Sequence, residues 1–122
     1  MKFNSQICTT KEQSERLLAL GLKKETADMC LRPDNTLIPI HENSFIYHNL
    51  ESTIQEGYCP AWSLHRLIEI LPIAVWIDGF RFPLRSDAIH RLSEVSSIYD
   101  TIIGIIERTV EMGYLNQEYL KQ

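Results

Sequence analysis

His65 and Glu69 stand four residues apart in "PAWSLHRLIEILP", residues 60–72. On a helix that spacing puts the imidazole and the carboxylate on one face. Such a pair could share acid–base work or hold two coordination positions of a metal. A metal centre needs three or four converging ligands, and nothing close in sequence supplies the rest. His41, His48 and His90, with Cys8, Cys30 and Cys59, would have to converge from a distance. There is no CxxC, no HExxH and no glycine-rich phosphate loop. Ser63 lacks the flanking glycines of a nucleophile elbow and reads as a hydroxyl capping a helix start. The simplest reading of His65 and Glu69 is a solvent-facing pair. No cofactor is expected.

Trp76, Arg81 and Arg85 form a second constellation. The segment "IAVWIDGFRFPLR", 73–85, carries Asp-Gly between alternating apolar runs, which suits a two-residue type I′ turn. That register pairs Ile77 with Phe80, Val75 with Phe82 and Ile73 with Leu84, and puts all six on one face to pack on helices. Trp76 lands opposite Arg81 on the other face, with Arg85 as neighbour. Trp and Arg are enriched where proteins bind one another, so Trp76, Arg81 and Arg85 are the expected interaction surface. With His90 and Arg91, the stretch 81–91 is also the most basic in the chain. A nucleic-acid contact there is the second functional reading, and a small enzyme or metal site at His65 and Glu69 the third. Trp62 and Arg66, again four apart, suit a core plug with a guanidinium packed on it.

The whole chain weighs against the second reading. Its 122 residues carry 12 basic and 16 acidic side chains, a net charge of −4 and a pI near 5.5, whereas phosphate-backbone binders concentrate Lys and Arg. The length suits one domain, residues 1–122, able to bury a core without staples. Three widely spaced cysteines do not make a disulfide framework and are expected as buried thiols. The N-terminal "MKFNSQICTTKEQSERLL" has no apolar core of signal-peptide length. No stretch approaches the ~20 apolar residues that span a bilayer. The expected location is the cytoplasm, with no membrane contact.

These residues must be held by secondary structure. "TTKEQSERLLALG", 9–21, predicts a helix started by a capping box, Thr9 with Glu12 or Thr10 with Gln13, and stopped by Gly21. Its polar first turn and a half predicts core contact only at its C-terminal end. Residues 24–28 suit one further turn. "MCL" and "TLIPI" flank the turn signal "RPDN", predicting an antiparallel pair over 29–31 and 36–40. Residues 41–58 read as irregular. Over 60–72, Leu64, Leu67, Ile68 and Leu71 make one apolar stripe, with Pro60 at the helix start and Pro72 at its stop. Residues 88–92 suit either strand or helix. "IYDTIIGIIERTVEM", 98–112, predicts a long helix presenting Ile98, Ile102, Ile105, Ile106 and Val110, widened by Tyr99 and Ile103. A short turn capped by Asn116 follows.

The resulting expectation is an α+β fold: a small antiparallel sheet, with the 73–85 hairpin at its centre, packed against helices at about 10–20, 63–71 and 98–112. Three blocks carry a resemblance: "ICTTKEQSERLLALGLKKETADM" (7–29), "PAWSLHRLIEILP" (60–72) and "YDTIIGIIERTVEMGYLNQEYL" (99–120). Together they resemble a group of small uncharacterised proteins of gut Bacteroides-type bacteria, often encoded near prophage or conjugative elements. The resemblance implies an accessory role on a mobile element and carries no activity, cofactor or catalytic residue. The leading functional expectation is a non-enzymatic interaction protein, binding an unknown protein partner or a second copy of itself.

Overall fold

Gly79, at φ +83°, and Asp78, at φ +50°, are the central pair of the hairpin turn. Both lie in the left-handed region that a type I′ turn demands. In the computed structural model, which describes residues 6–39 and 57–121, this turn joins β4 (Val75–Ile77) to β5 (Phe80–Phe82). The register pairs Val75 with Phe82, Trp76 with Arg81 and Ile77 with Phe80, as the sequence predicts. The outermost predicted pair does not form. Pro83 has no N–H to extend the ladder, and it caps a new helix, α3, from Leu84 to Leu92. Leu84 therefore turns away, and Ile73 is 61% exposed. This helix also settles 88–92 as helical.

The rest is α+β as expected, with the sheet built elsewhere. Helix α1 (Lys11–Ala19) is followed by a 3-10 turn at Lys24–Thr26. Strands β1 (Met29–Leu31), β2 (Leu37–Pro39) and β3 (Cys59–Ala61) form an antiparallel sheet in the order β2-β1-β3. The hairpin is a separate two-stranded sheet, so it is not the centre of the larger one. Strand β3 lies where the sequence suggested a helix start. Pro60 sits opposite Cys30 on the outer strand, where a missing N–H costs no ladder bond. Helices α2 (Leu64–Ile70) and α4 (Ile98–Glu111) and a 3-10 turn at Gln117–Tyr119 complete the chain. The predicted irregular stretch 41–58, His41 and His48 among it, lies outside the described residues except for its last two positions.

The main core gathers Leu17, Leu22, Trp62, Leu67, Ile70, Leu71, Ile102, Ile103 and Ile106, all essentially inaccessible. Helix α4 gives more to it than any other element, through Tyr99, Ile102, Ile103 and Ile106. That face is turned slightly from the predicted one: Ile98 is exposed, and Ile105 and Val110 are only half-buried. A smaller cluster of Cys8, Leu31 and Ala61 lies on one face of the three-stranded sheet. Helix α1 starts with the reciprocal capping box of Thr10 and Gln13. It also reaches the core earlier than its polar opening suggests. Ser14 is buried and shares a hydrogen bond with the Thr9 hydroxyl, 2.7 Å away.

The α1–α4 seam is closed at the surface by polar contacts. Gln13 donates to Asp100 (2.9 Å), and Arg16 pairs with Glu107. Bonds from Gln13 and Ser97, with the Arg16 guanidinium beyond them, hold the Asp100 carboxyl below the usual range. The C-terminal segment is stitched back by Lys23 N–H to Tyr119 O and Lys121 N–H to Gly21 O.

Candidate interaction surface

A two-stranded ribbon alone is marginal in water, so a hairpin holds its shape only where something covers one face. Here that cover reaches only the base. Val75 is buried and Phe82 half-buried, while nearer the turn Ile77 is 40% and Phe80 77% exposed. The expectation that the whole apolar face is covered fails toward the turn, and of that face only Val75 is buried. On the opposite face, Trp76 is 67% exposed. Its cross-strand neighbour Arg81 has neither a hydrogen bond nor an ion pair among the described residues. Three large apolar side chains of the hairpin, Trp76, Ile77 and Phe80, thus stand in water, with Ile73 exposed just before it. Single exposed apolar residues need no explanation, but several on both faces of one short element are what a contact surface offers.

Arg85 does not belong to it. Its guanidinium turns inward and donates to Leu71 O through Nε (3.1 Å) and Nη2 (2.6 Å), and to Glu69 O through Nη2 (2.9 Å). These carbonyls are at the C-terminal end of α2, where Pro72 prevents the helix from continuing. The arginine supplies both hydrogen bonds and a cation there, complementing the negative end of the helix dipole. Sequence reasoning placed Arg85 beside Arg81; the early start of α3 rotates it away.

The remaining basic residues of 81–91 are also engaged. Arg91 pairs with Asp87 at 2.8 Å, and His90 lies 3.5 Å from Glu94. Among the described residues, Arg81 alone is left in that stretch to offer an unpaired cation. His65 and Glu69 do meet, at 2.9 Å, with the imidazole 84% exposed. Among the described residues no group of three His, Cys, Asp or Glu side chains could hold a metal. Ser63 beside them is committed to structure. Its hydroxyl donates to Asp28 and accepts from Arg66 N–H, and its own N–H is bound by the same carboxylate. The one carboxylate on the hydroxyl among the described residues, Asp28, is itself tied to the Ser63 N–H as part of the helix-start hydrogen bonding.

Trp62 is the core plug the sequence suggested, fully buried, with its indole N–H on the Thr26 hydroxyl. Arg66 does not pack on it. Arg66 donates to Thr26 O (2.7 Å) and lies over the Tyr119 ring, 5.8 Å from its centre.

The three thiols, distant in sequence, are brought near by the β1–β3 pairing and the strand-like contact of Cys8 with Ser63. Burial raises all three, and Cys30 reaches about 11. Thiols so raised are protonated at neutral pH and poor nucleophiles or ligands.

Between the apolar face of the hairpin and helices α3 and α4 runs a narrow cleft of about 170 Å³. Val75, Ile77, Phe82 and Met112 make its apolar walls, and Arg108 stands at its edge. Sequence reasoning missed it, because nothing in the pattern of 98–112 says that Met112 and Arg108 reach across to a hairpin.

Fold and site together define a small α+β protein that displays a largely uncovered hairpin. No family model, curated protein or solved structure matches the chain.

Proposed function

We propose that this protein is a non-enzymatic interaction module that binds a protein partner through the β4–β5 hairpin. The observation that carries the reading is the exposure of Trp76 and Phe80 on opposite faces of one short ribbon, beside an Arg81 unpaired among the described residues. Large aromatic and guanidinium side chains dominate binding energy when a partner desolvates them. In water these aromatics gain nothing for the fold, so a partner is what gives them a role. An accessory protein of a mobile element, as the resemblance implies, would act in this way. The reading names the hairpin and not the basic stretch, because Arg85, His90 and Arg91 are held by the chain's own groups.

The test is affinity capture from the source cell with the intact chain, beside the Trp76→Ala/Phe80→Ala double variant. A specific partner retained by the first and lost by the second, at equal thermal midpoint, is the expected result. Equal retention by both removes the hairpin from the function.

A further inference from the structure

Resting on the interaction reading above, we infer that the cleft between the hairpin and helices α3 and α4 receives an acidic protein segment, which seats one apolar side chain between Ile77 and Met112 and places a carboxylate on Arg108. Two observations combine here. The cleft has an apolar interior that stays open: Ile77 is 40% and Met112 60% exposed, and the space of about 170 Å³ suits one large side chain. Its charge is opposite to that of the molecule. The lining carries Arg91, Arg108 and Asp87, a formal +1, on a chain of net −4. Arg91 and Asp87 satisfy each other across 2.8 Å, whereas Arg108 has no hydrogen bond or ion pair through its guanidinium among the described residues.

An unpaired guanidinium at the rim of an apolar cleft fixes the preferred chemistry of the occupant. A planar fork of donors takes a carboxylate bidentately, and a basic segment would be repelled. A second copy of this chain would have to bring its own carboxylates to the same rim, and that is one outcome of the test.

The experiment is selection of a random peptide library, displayed on phage, against the intact chain. Selected peptides are then measured as synthetic peptides by fluorescence anisotropy. The expected consensus is one Leu, Phe or Trp flanked by Asp or Glu. Its binding should fall about tenfold in Arg108→Glu, in line with a charge reversal at an interface rim. It should also weaken with salt and be lost in Met112→Asp. Peptides that need Trp76 and Phe80, but show no acidic preference and ignore Arg108→Glu, overturn the inference and leave the hairpin reading standing. Peptides that bind equally to the Trp76→Ala/Phe80→Ala, Arg108→Glu and Met112→Asp chains overturn both. A dimer in sedimentation equilibrium that dissociates in Met112→Asp gives the cleft to a second copy and also overturns the inference.

Discussion

Trp62 donates its indole N–H to the Thr26 hydroxyl across 3.0 Å, joining residues 36 positions apart inside the core. The same hydroxyl donates to Lys23 O at 2.6 Å, so the indole is tied to a short turn that fixes itself. The Trp62 backbone is held as well, with its N–H on the Thr9 hydroxyl and its carbonyl on Thr9 N–H. Every described buried side-chain donor and acceptor in this region has a partner.

Thr26→Val keeps the shape of the side chain and removes the acceptor. A buried indole N–H without a partner costs about 1–3 kcal/mol, and we expect a loss of that size in urea unfolding. Trp62→Phe removes the donor and some packing. In the double variant the two losses should add to less than their sum, because the orphaned group is then gone. Strict additivity in this cycle would show that the bond contributes nothing.

Arg81 and Arg85 stand four apart in sequence and should behave as opposites. Arg85→Ala uncaps the end of α2 and is expected to lower stability by about 1 kcal/mol, read as a shift in the unfolding midpoint. It should leave partner binding intact. Arg81→Ala touches nothing in the fold and should change stability by less than about 0.5 kcal/mol while weakening the complex. A stability loss at Arg81 that equals the one at Arg85 would mean that Arg81 also has a structural bond.

The contrast shows where the sequence is legible. Short-range signals carried their elements. Thr10 with Gln13 predicts a capping box because both partners lie within one turn, and Asp78-Gly79 predicts its bend because few dipeptides tolerate two positive φ values. The register of Trp76 with Arg81 followed from that bend alone. What failed depended on neighbours distant in sequence. Strand β3 contains a proline and only three residues, and it exists because β1 offers it a ladder. The apolar face of Ile77 and Phe80 is predicted as core yet lies open, because alternation tells which side chains share a face, not whether anything covers them. Arg85 was misplaced by one event, the start of α3 directly after Pro83. The exposure of Trp76 could not be read from its type, since a tryptophan of the same chain, Trp62, is wholly buried.

Cys30 makes stability depend on alkaline pH. Burial, with the Cys59 thiol nearby as a lesser cause, lifts it from the ordinary 9.0 to about 11. Below the ordinary value both folded and unfolded chains hold the proton. Between there and about 11 the unfolded chain releases it and the native chain does not, so stability falls as pH rises through that window. Tyr99, also raised by burial, adds a loss of the same sign. The discriminating comparison is therefore the difference between the wild type and Cys30→Ala in urea midpoint from pH 8 to 11. The variant is expected to start lower, from its cavity, and to decline less steeply. Parallel declines would place the Cys30 thiol in water.

The Asp78-Gly79 bend offers a way to loosen the hairpin without touching the core. Gly79 sits at φ +83°, and a Cβ there would meet no other atom within 4 Å, so Gly79→Ala adds backbone strain and no clash. Left-handed backbone costs a side chain roughly 1–2 kcal/mol. Ile77 and Phe80, which flank the turn, are largely exposed, and the main core is built without them. The strain should therefore appear as local opening rather than as global unfolding. We expect the Ile77 and Phe80 amides to exchange with solvent up to about tenfold faster, since a local cost near 1.4 kcal/mol is one decade. The amides of α4, protected by the core of Ile102, Ile103 and Ile106, should exchange at their original rate. If α4 were to lose protection along with the turn, the hairpin would have to be part of the cooperative core, and its exposed aromatics would then be structural rather than free for a partner.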